Sequence, residues 1–183
     1  MPFKLIKSEP VFQGRAFKIR RDTLKTPDGN ETKFDIVEHT GSVIIIPIDA
    51  DGNMLFVRQY RHAAGKDLLE LPAGTRDDDE PYEDCAAREI REETGMAAGK
   101  LERIGDFYLA PGYSTEFMAV FLATELSHDP LEADDDEFLQ VEKISVRDAI
   151  QMAERGEMPD AKSLAALFLA KRPINAYMGI KKK

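Results

Sequence analysis

Apolar and polar residues come in short blocks over the first third of the chain, a pattern that predicts strands before any helix. Residues 16–24 and 32–38 read as the arms of a hairpin, with Thr26-Pro27-Asp28-Gly29-Asn30 supplying the turn chemistry between them. The run Val43-Ile44-Ile45-Ile46, within 42–48, has no polar alternation and so predicts a central strand buried on both faces. Asp49 to Asn53 then turns the chain. Residues 54–60 return as a strand, with Phe56 and Tyr60 on one face, and 68–71 form a short further strand. Beyond a helical segment, 101–109, 117–125 and 139–144 read as strands. Ser145 caps a helix over 146–155, which Gly156 stops, and 161–171 is apolar at helical spacing. Strands, a helix, more strands and then helices predict an α+β fold with a mixed sheet covered by helices.

The helix from Tyr82 to Thr94 breaks the usual amphipathic rule. At about 100° per residue, Tyr82, Cys85, Ala86 and Ile90 share one arc, and Glu89 and Glu93 fall inside it with Glu92 beside it. Soluble helices normally turn carboxylates to water. Carboxylates aimed at the core cost several kcal/mol each unless something positive meets them. A helix laced with i,i+4 ion pairs, such as Arg88 with Glu92, is the plain alternative. Placement on the apolar face favours a divalent cation, and oxygen ligands suit Mg²⁺ or Mn²⁺. Pro81 starts the helix well and Gly95 suits a left-handed C-terminal cap.

Composition narrows the function. The net charge of -9 argues against a general nucleic-acid binder, which needs a basic face. No apolar run approaches the ~20 residues of a membrane span, and the first residues lack a signal peptide's apolar stretch. Cys85 is the single cysteine, so no intrachain disulfide forms and a reducing cytoplasm is expected. His39, His62 and His128 are isolated, without zinc-like spacing.

Residues 74–96 fill every fixed position of the pattern G-x5-E-x7-R-E-U-x-E-E-x-G-U, where U is aliphatic: Gly74, Glu80, Arg88, Glu89, Ile90, Glu92, Glu93, Gly95 and Met96. On these residues the chain resembles the Nudix hydrolases. The resemblance implies an α/β/α sandwich with an N-terminal antiparallel hairpin, and hydrolysis of a nucleoside diphosphate linked to another group. It implies Glu89 and Glu93 as principal metal ligands, Glu92 as a further ligand, and the Ala73 carbonyl as another. Glu80 and Arg88 then form an orienting salt bridge, with Gly74 and Gly95 as structural glycines. Glu92 and Glu93 count as catalytic through their metal.

Other segments resemble the ADP-ribose pyrophosphatase branch. Ala110-Pro111-Gly112-Tyr113-Ser114-Thr115-Glu116 places Pro111 16 positions after Gly95, and Glu116 matches a substrate-contacting or metal-proximal acid. In Val57-Arg58-Gln59-Tyr60-Arg61, Arg58 would clamp the diphosphate and Arg61 pair with a structural acid. Glu70 is either a ligand-side acid or a partner for one of these arginines. Asp134-Asp135-Asp136-Glu137 matches an acidic loop, with Asp135 as base and Glu137 as metal ligand. Asp135 is one methylene shorter than the glutamate the branch usually carries, which leaves Glu116 or Glu137 as alternative bases. The N-terminal segment resembles one that dimerises, with Phe17 stacking on adenine or serving as core, and Arg20 or Arg21 reaching a phosphate.

The expected organisation is therefore an N-terminal hairpin segment over 1–40, a Nudix domain over 41–175, and a basic, disordered tail over 176–183. The expected function is Mg²⁺-dependent cleavage of ADP-ribose to AMP and ribose 5-phosphate by a homodimer. GDP-mannose is the alternative substrate, and a non-catalytic ligand sensor is the remote one.

Overall fold

The structure is a computed structural model that describes residues 2–14, 17–132 and 138–177. The chain forms two compact units, residues 1–41 with 107–118, and residues 42–106 with 119–183.

The first unit carries an antiparallel sheet of three strands, β1 (Lys4–Gln13), β2 (Lys18–Lys25) and β3 (Glu31–Glu38), in that order. The expected hairpin is β2–β3. Its turn closes with Thr26 N–H donating to Asn30 O at 2.8 Å and Gly29 N–H to Thr26 O at 2.9 Å. Strand β1 is an addition to the sequence reading. Bulges between Leu5 and Lys7 and between Pro10 and Phe12 break its period of two, so no alternating pattern marks it. The segment around Pro111 belongs to this same unit and is stitched to β3. Val37 N–H donates to Tyr113 O at 2.7 Å, and Thr115 N–H donates to Val37 O at 3.0 Å.

In the second unit, β4 (Ser42–Pro47) is buried along its whole length, as the unbroken β-branched run predicts. Then come β5 (Asn53–Arg61), β6 (Lys66–Glu70) and β7 (Ala73–Thr75), followed by α1 (Tyr82–Thr94). Strand β8 (Met96–Tyr108) follows the Gly95 cap directly rather than starting at Leu101, and β9 (Phe117–His128) returns. The chain ends with β10 (Gln140–Ser145), α2 (Val146–Glu154) and α3 (Ala161–Tyr177). Two sheets result, ordered β10-β5-β6 and β7-β4-β9-β8. The fold is the expected α+β arrangement of mixed sheets and helices.

Both α1 and α3 pack on β4. On the α1 side, Val43 and Ile45 meet Cys85, Ala86, Ile90, Ala119, Phe121 and Ala123. Ile44 and Ile46 point to the opposite face by strand alternation and are equally buried. This two-sided burial makes β4 the middle of a sandwich. Tyr60 is the exception on its strand: Phe56 is fully buried, but Tyr60 at the strand's end is exposed.

Ser145 caps α2 as expected, its side chain accepting from Asp148 N–H at 3.1 Å. Helix α3 runs beyond the expected stop at Lys171 and includes Pro173. A proline there removes one intrahelical hydrogen bond. Burial of Ala170 and Ile174 on one side holds the last turns in place. Residues 176–177 thus close a helix, and the rest of the expected tail lies outside the described residues. No helix among the described residues is long and apolar enough to cross a membrane.

Phe121→Ala should destabilise the protein by about 3–5 kcal/mol, because this β9 side chain fills the core cluster where Val43 and Ile45 meet Cys85, Ala86 and Ile90. Urea denaturation checks this: the midpoint falls while the slope is unchanged.

Candidate active site

Helix α1 presents its carboxylates inward, and one guanidinium organises them. Arg88 Nε and Nη2 donate to Glu80 Oε1 and Oε2, both at 3.0 Å. Arg88 Nη1 donates to Glu89 Oε1 at 2.7 Å and to Glu92 Oε2 at 2.8 Å. Nη2 also reaches Thr75 O at 3.2 Å. The fork geometry of arginine permits this sharing, which a lysine would not reproduce. The Glu80 hydrogen bond, opposed by burial and helped by Glu89 and Glu92, raises the Arg88 pKa further. The cation is therefore permanent. The Arg88 bond, outweighing burial, holds the Glu80 carboxyl below its usual range.

Glu89 is 7% exposed and Glu93 is 5% exposed. Glu93 Oε2 accepts from the Ala73 N–H at 3.0 Å, which ties the helix to β7. Gly74 stands against Glu89. A Cβ at Gly74 would lie 1.8 Å from Glu89 Cδ and 2.0 Å from its Oε1, so only glycine leaves room for this carboxylate. Gly95 ends the helix at φ 72° with its N–H on Arg91 O, the left-handed cap expected of it. Cys85 is fully buried, and burial, with the nearby Glu80 and Glu89, pushes its thiol up out of reach of ionisation.

Three carboxylates, Glu80, Glu89 and Glu92, thus share one arginine side chain, and Glu93 is held separately by the Ala73 N–H. The donors are all oxygen and the local charge is negative, which fits hard divalent cations. Among the described residues, no three Asp, Glu, His or Cys side chains already converge on a shared ion position. Arg88 occupies the inner oxygens of Glu89 and Glu92 instead, so ion binding would redraw those two contacts.

The other expected site residues divide between the two units. In the second, Arg58 Nε donates to Glu142 Oε1 at 2.5 Å, across from β5 to β10. Glu70 is 1% exposed and bound by Arg61 through two hydrogen bonds, Nε–Oε1 at 2.9 Å and Nη2–Oε2 at 2.7 Å. Lys162 Nζ also pairs with Glu70 Oε2. Burial raises the Glu70 pKa, but Arg61 and Lys162 outweigh it and the net shift is downward. In the first unit, Arg20 bonds Glu38 at 2.5 Å and Asp22 at 3.1 Å. Phe17 is 43% exposed beside Phe12. Pro111 is exposed in its turn, and Glu116 Oε1 lies 3.9 Å from His39 Nε2. Asp135 and Glu137 lie outside the described residues.

Sequence reading missed Asp160, Lys162 and Ser163. Asp160 preceding a helix is a capping signal, but nothing in the sequence links these residues to Glu70 and Leu71, 92 positions earlier.

The profile of the NUDIX domain matches residues 38–167. The chain is 36% identical over 166 residues to the ADP-ribose pyrophosphatase of Bacillus subtilis (strain 168), covering 90% of each. It is 30% identical over 169 residues to the GDP-mannose pyrophosphatase of Yersinia enterocolitica, covering 84% of this chain and 87% of that protein. Its fold is similar to the crystal structure of an ADP compounds hydrolase, with a TM-score of 0.87 and 24% identity over 97% of this chain and 96% of that one.

Gly74→Ala should leave the fold intact, because the clashing atoms are the flexible end of Glu89, while displacing that carboxylate. A misplacement of about 1 Å costs on the order of 10²-fold in rate; steady-state turnover and circular dichroism on one sample would separate the two effects.

Acid stability provides a second test. The folded pKa of Glu70 lies below its ordinary value of 4.5. Its contribution is therefore present above that value and lost as pH falls through the folded pKa. Thermal melts below pH 4.5 should show a steeper loss for the native protein than for Glu70→Gln, and parallel acid limbs would contradict this.

Proposed function

From the premise that the chain belongs to the Nudix family of hydrolases, we propose that it cleaves the diphosphate of ADP-ribose. Water adds to one phosphorus, the bridging P–O bond breaks, and AMP and ribose 5-phosphate leave with the proton balance restored to solvent. The observation that carries this reading is the oxygen-only carboxylate platform of α1, built against Gly74 and organised by Arg88. The likeness to an ADP-ribose pyrophosphatase over most of both chains supports the choice of substrate.

In this reading Glu89, Glu92 and Glu93, with the Ala73 carbonyl, hold the family's divalent cation, for which Mg²⁺ is proposed and Mn²⁺ substitutes. The bound ion supplies charge neutralisation at the diphosphate and activation of water. Arg88, fixed by Glu80, keeps the helix carboxylates oriented and limits their mutual repulsion before the ion binds. Arg58 clamps the diphosphate by exchanging Glu142 for phosphate oxygens, a bidentate contact suited to its fork. Glu70, held by two cations, serves as an arginine partner rather than touching substrate. Glu116 contacts substrate, Asp135 acts as base and Glu137 as a further ligand, and these acidic-loop roles rest on the sequence alone. Positioning and electrostatics supply most of the rate enhancement. The protein works in the reducing cytoplasm, in keeping with its single buried thiol.

The second reading keeps the chemistry and changes the sugar nucleotide to GDP-mannose. It is favoured by the likeness to a GDP-mannose pyrophosphatase. A panel of ADP-ribose, GDP-mannose, NADH and diadenosine polyphosphates, with Mg²⁺ and with EDTA, separates the two by product. Fastest release of AMP from ADP-ribose, abolished by EDTA, is expected. Glu93→Gln should lower that turnover by orders of magnitude with the fold retained, and a near-native rate in this variant would sink the assignment.

The homodimer is proposed from the first unit. Phe3, Leu5, Ile6, Val11 and Phe12 of β1 and its approach are each more than half exposed. So much apolar surface on one short sheet suits burial against a second copy, in which Phe17 stacks on adenine and Arg20 reaches a phosphate. Light scattering should give twice the chain mass of 20.6 kDa. A monomer at micromolar concentration would remove this part of the reading.

A further inference from the structure

The backbone from Glu70 to Gly74 leads directly into the carboxylate platform, and the start of α3 anchors it. Leu71 N–H donates to Ser163 Oγ at 2.8 Å, and Ser163 is fully buried. Ser163 is itself fixed by Asp160, whose Oδ2 accepts from the Ser163 N–H at 3.0 Å and from its hydroxyl at 2.5 Å. Lys162 Nζ pairs with Glu70 Oε2 and lies 3.0 Å from Asp160 Oδ1. Its side chain is 14% exposed and that of Glu70 only 2%, so the pair is shielded from water. Next along the chain, Pro72 O accepts from Ile45 N–H at 2.8 Å. Ala73 N–H then donates to Glu93, and Gly74 abuts Glu89. Each residue from 70 to 74 thus has a defined contact, and α3 supplies one to Glu70, which Arg61 also holds, and one to Leu71.

We propose that Lys162 and Ser163 are positioning residues for the reaction. They fix Glu70 and Leu71, and through a short stretch of backbone they keep the Ala73 N–H on Glu93 and Gly74 against Glu89. Loss of the Ser163 hydroxyl leaves the Leu71 N–H buried without its acceptor, and a buried orphan donor drives the backbone to move. Loss of the Lys162 charge leaves Arg61, among the described residues, as the cation bonded to Glu70 and removes the contact that ties Glu70 to α3. A buried pair broken on one side is strongly unfavourable, so the segment shifts rather than waits. This inference rests on the reading of Glu89 and Glu93 as holders of a divalent cation, and metal binding reads it without reference to substrate.

The experiment compares Lys162→Met, Lys162→Arg, Ser163→Ala and Leu167→Ala with the native protein. Leu167 is a buried apolar residue of the same helix outside the network, so Leu167→Ala reports plain destabilisation. Mn²⁺ binding is measured by electron paramagnetic resonance, and ADP-ribose turnover beside it, at a temperature where circular dichroism shows every variant folded. Supporting groups behind metal ligands typically change affinity or rate by about 10–100-fold. Lys162→Met and Ser163→Ala should therefore weaken Mn²⁺ binding and lower kcat by about tenfold or more, with KM nearly unchanged. Lys162→Arg should recover most of the loss. Leu167→Ala should lower the melting temperature and leave Mn²⁺ affinity as it was. Native Mn²⁺ affinity in Lys162→Met, or equal weakening in Leu167→Ala, overturns the proposal. Mn²⁺ binding by the native protein without ADP-ribose turnover overturns the substrate reading alone, and the variants still decide the positioning role. Absence of Mn²⁺ binding by the native protein overturns both.

Discussion

Helix α1 brings Glu89 and Glu93 into the protein interior and Glu92 to its margin, and the Arg88 guanidinium beside Glu80 makes that tolerable. Without a cation the three helix acids would repel one another and turn outward. One arginine does not neutralise four carboxylates. The remaining negative charge is the physical basis for binding a divalent ion, and it explains how an acidic protein handles an anionic diphosphate. Much of the surrounding structure serves this arrangement. Gly74 vacates the space that Glu89 fills, Ala73 lends its N–H to Glu93, and β4 receives α1 on one face and α3 on the other.

The carboxylate helix was legible in the sequence because its determinants are local. Helical spacing alone places Glu89 and Glu93 on the arc of Tyr82, Ala86 and Ile90, and the Arg88 contacts to Glu80, Glu89 and Glu92 all lie within eight positions. The buried β4 strand was legible for the same reason, since four consecutive β-branched residues suit few other environments. Strand β1 was not, because two bulges and mostly exposed side chains erase the alternation that marks a strand. The extension of α3 was hidden by Pro173, whose local penalty is overcome by packing of Ile174.

The site's outer supports were the least legible part. Glu70 was open to two readings in sequence. Its two cations come from nine positions ahead and from 92 positions away, and only the second depends on the tertiary fold. Arg58 shows the same limit, since its partner Glu142 stands on a strand 84 positions later. Pairings of this kind depend on sheet order, which residue type and spacing do not encode. They also matter for chemistry: a ligand set is only as well placed as the backbone beneath it.

The claim on which the rest depends is that the inner carboxylates of α1 hold a divalent cation. Crystals grown with Mn²⁺ and a non-hydrolysable ADP-ribose analogue, measured at the manganese absorption edge, test it directly. An anomalous peak coordinated by oxygens of Glu89, Glu92 and Glu93, with Arg88 moved off Glu89 and Glu92, is the expected result. A peak elsewhere, or no peak while Arg88 keeps its three carboxylates, would contradict it.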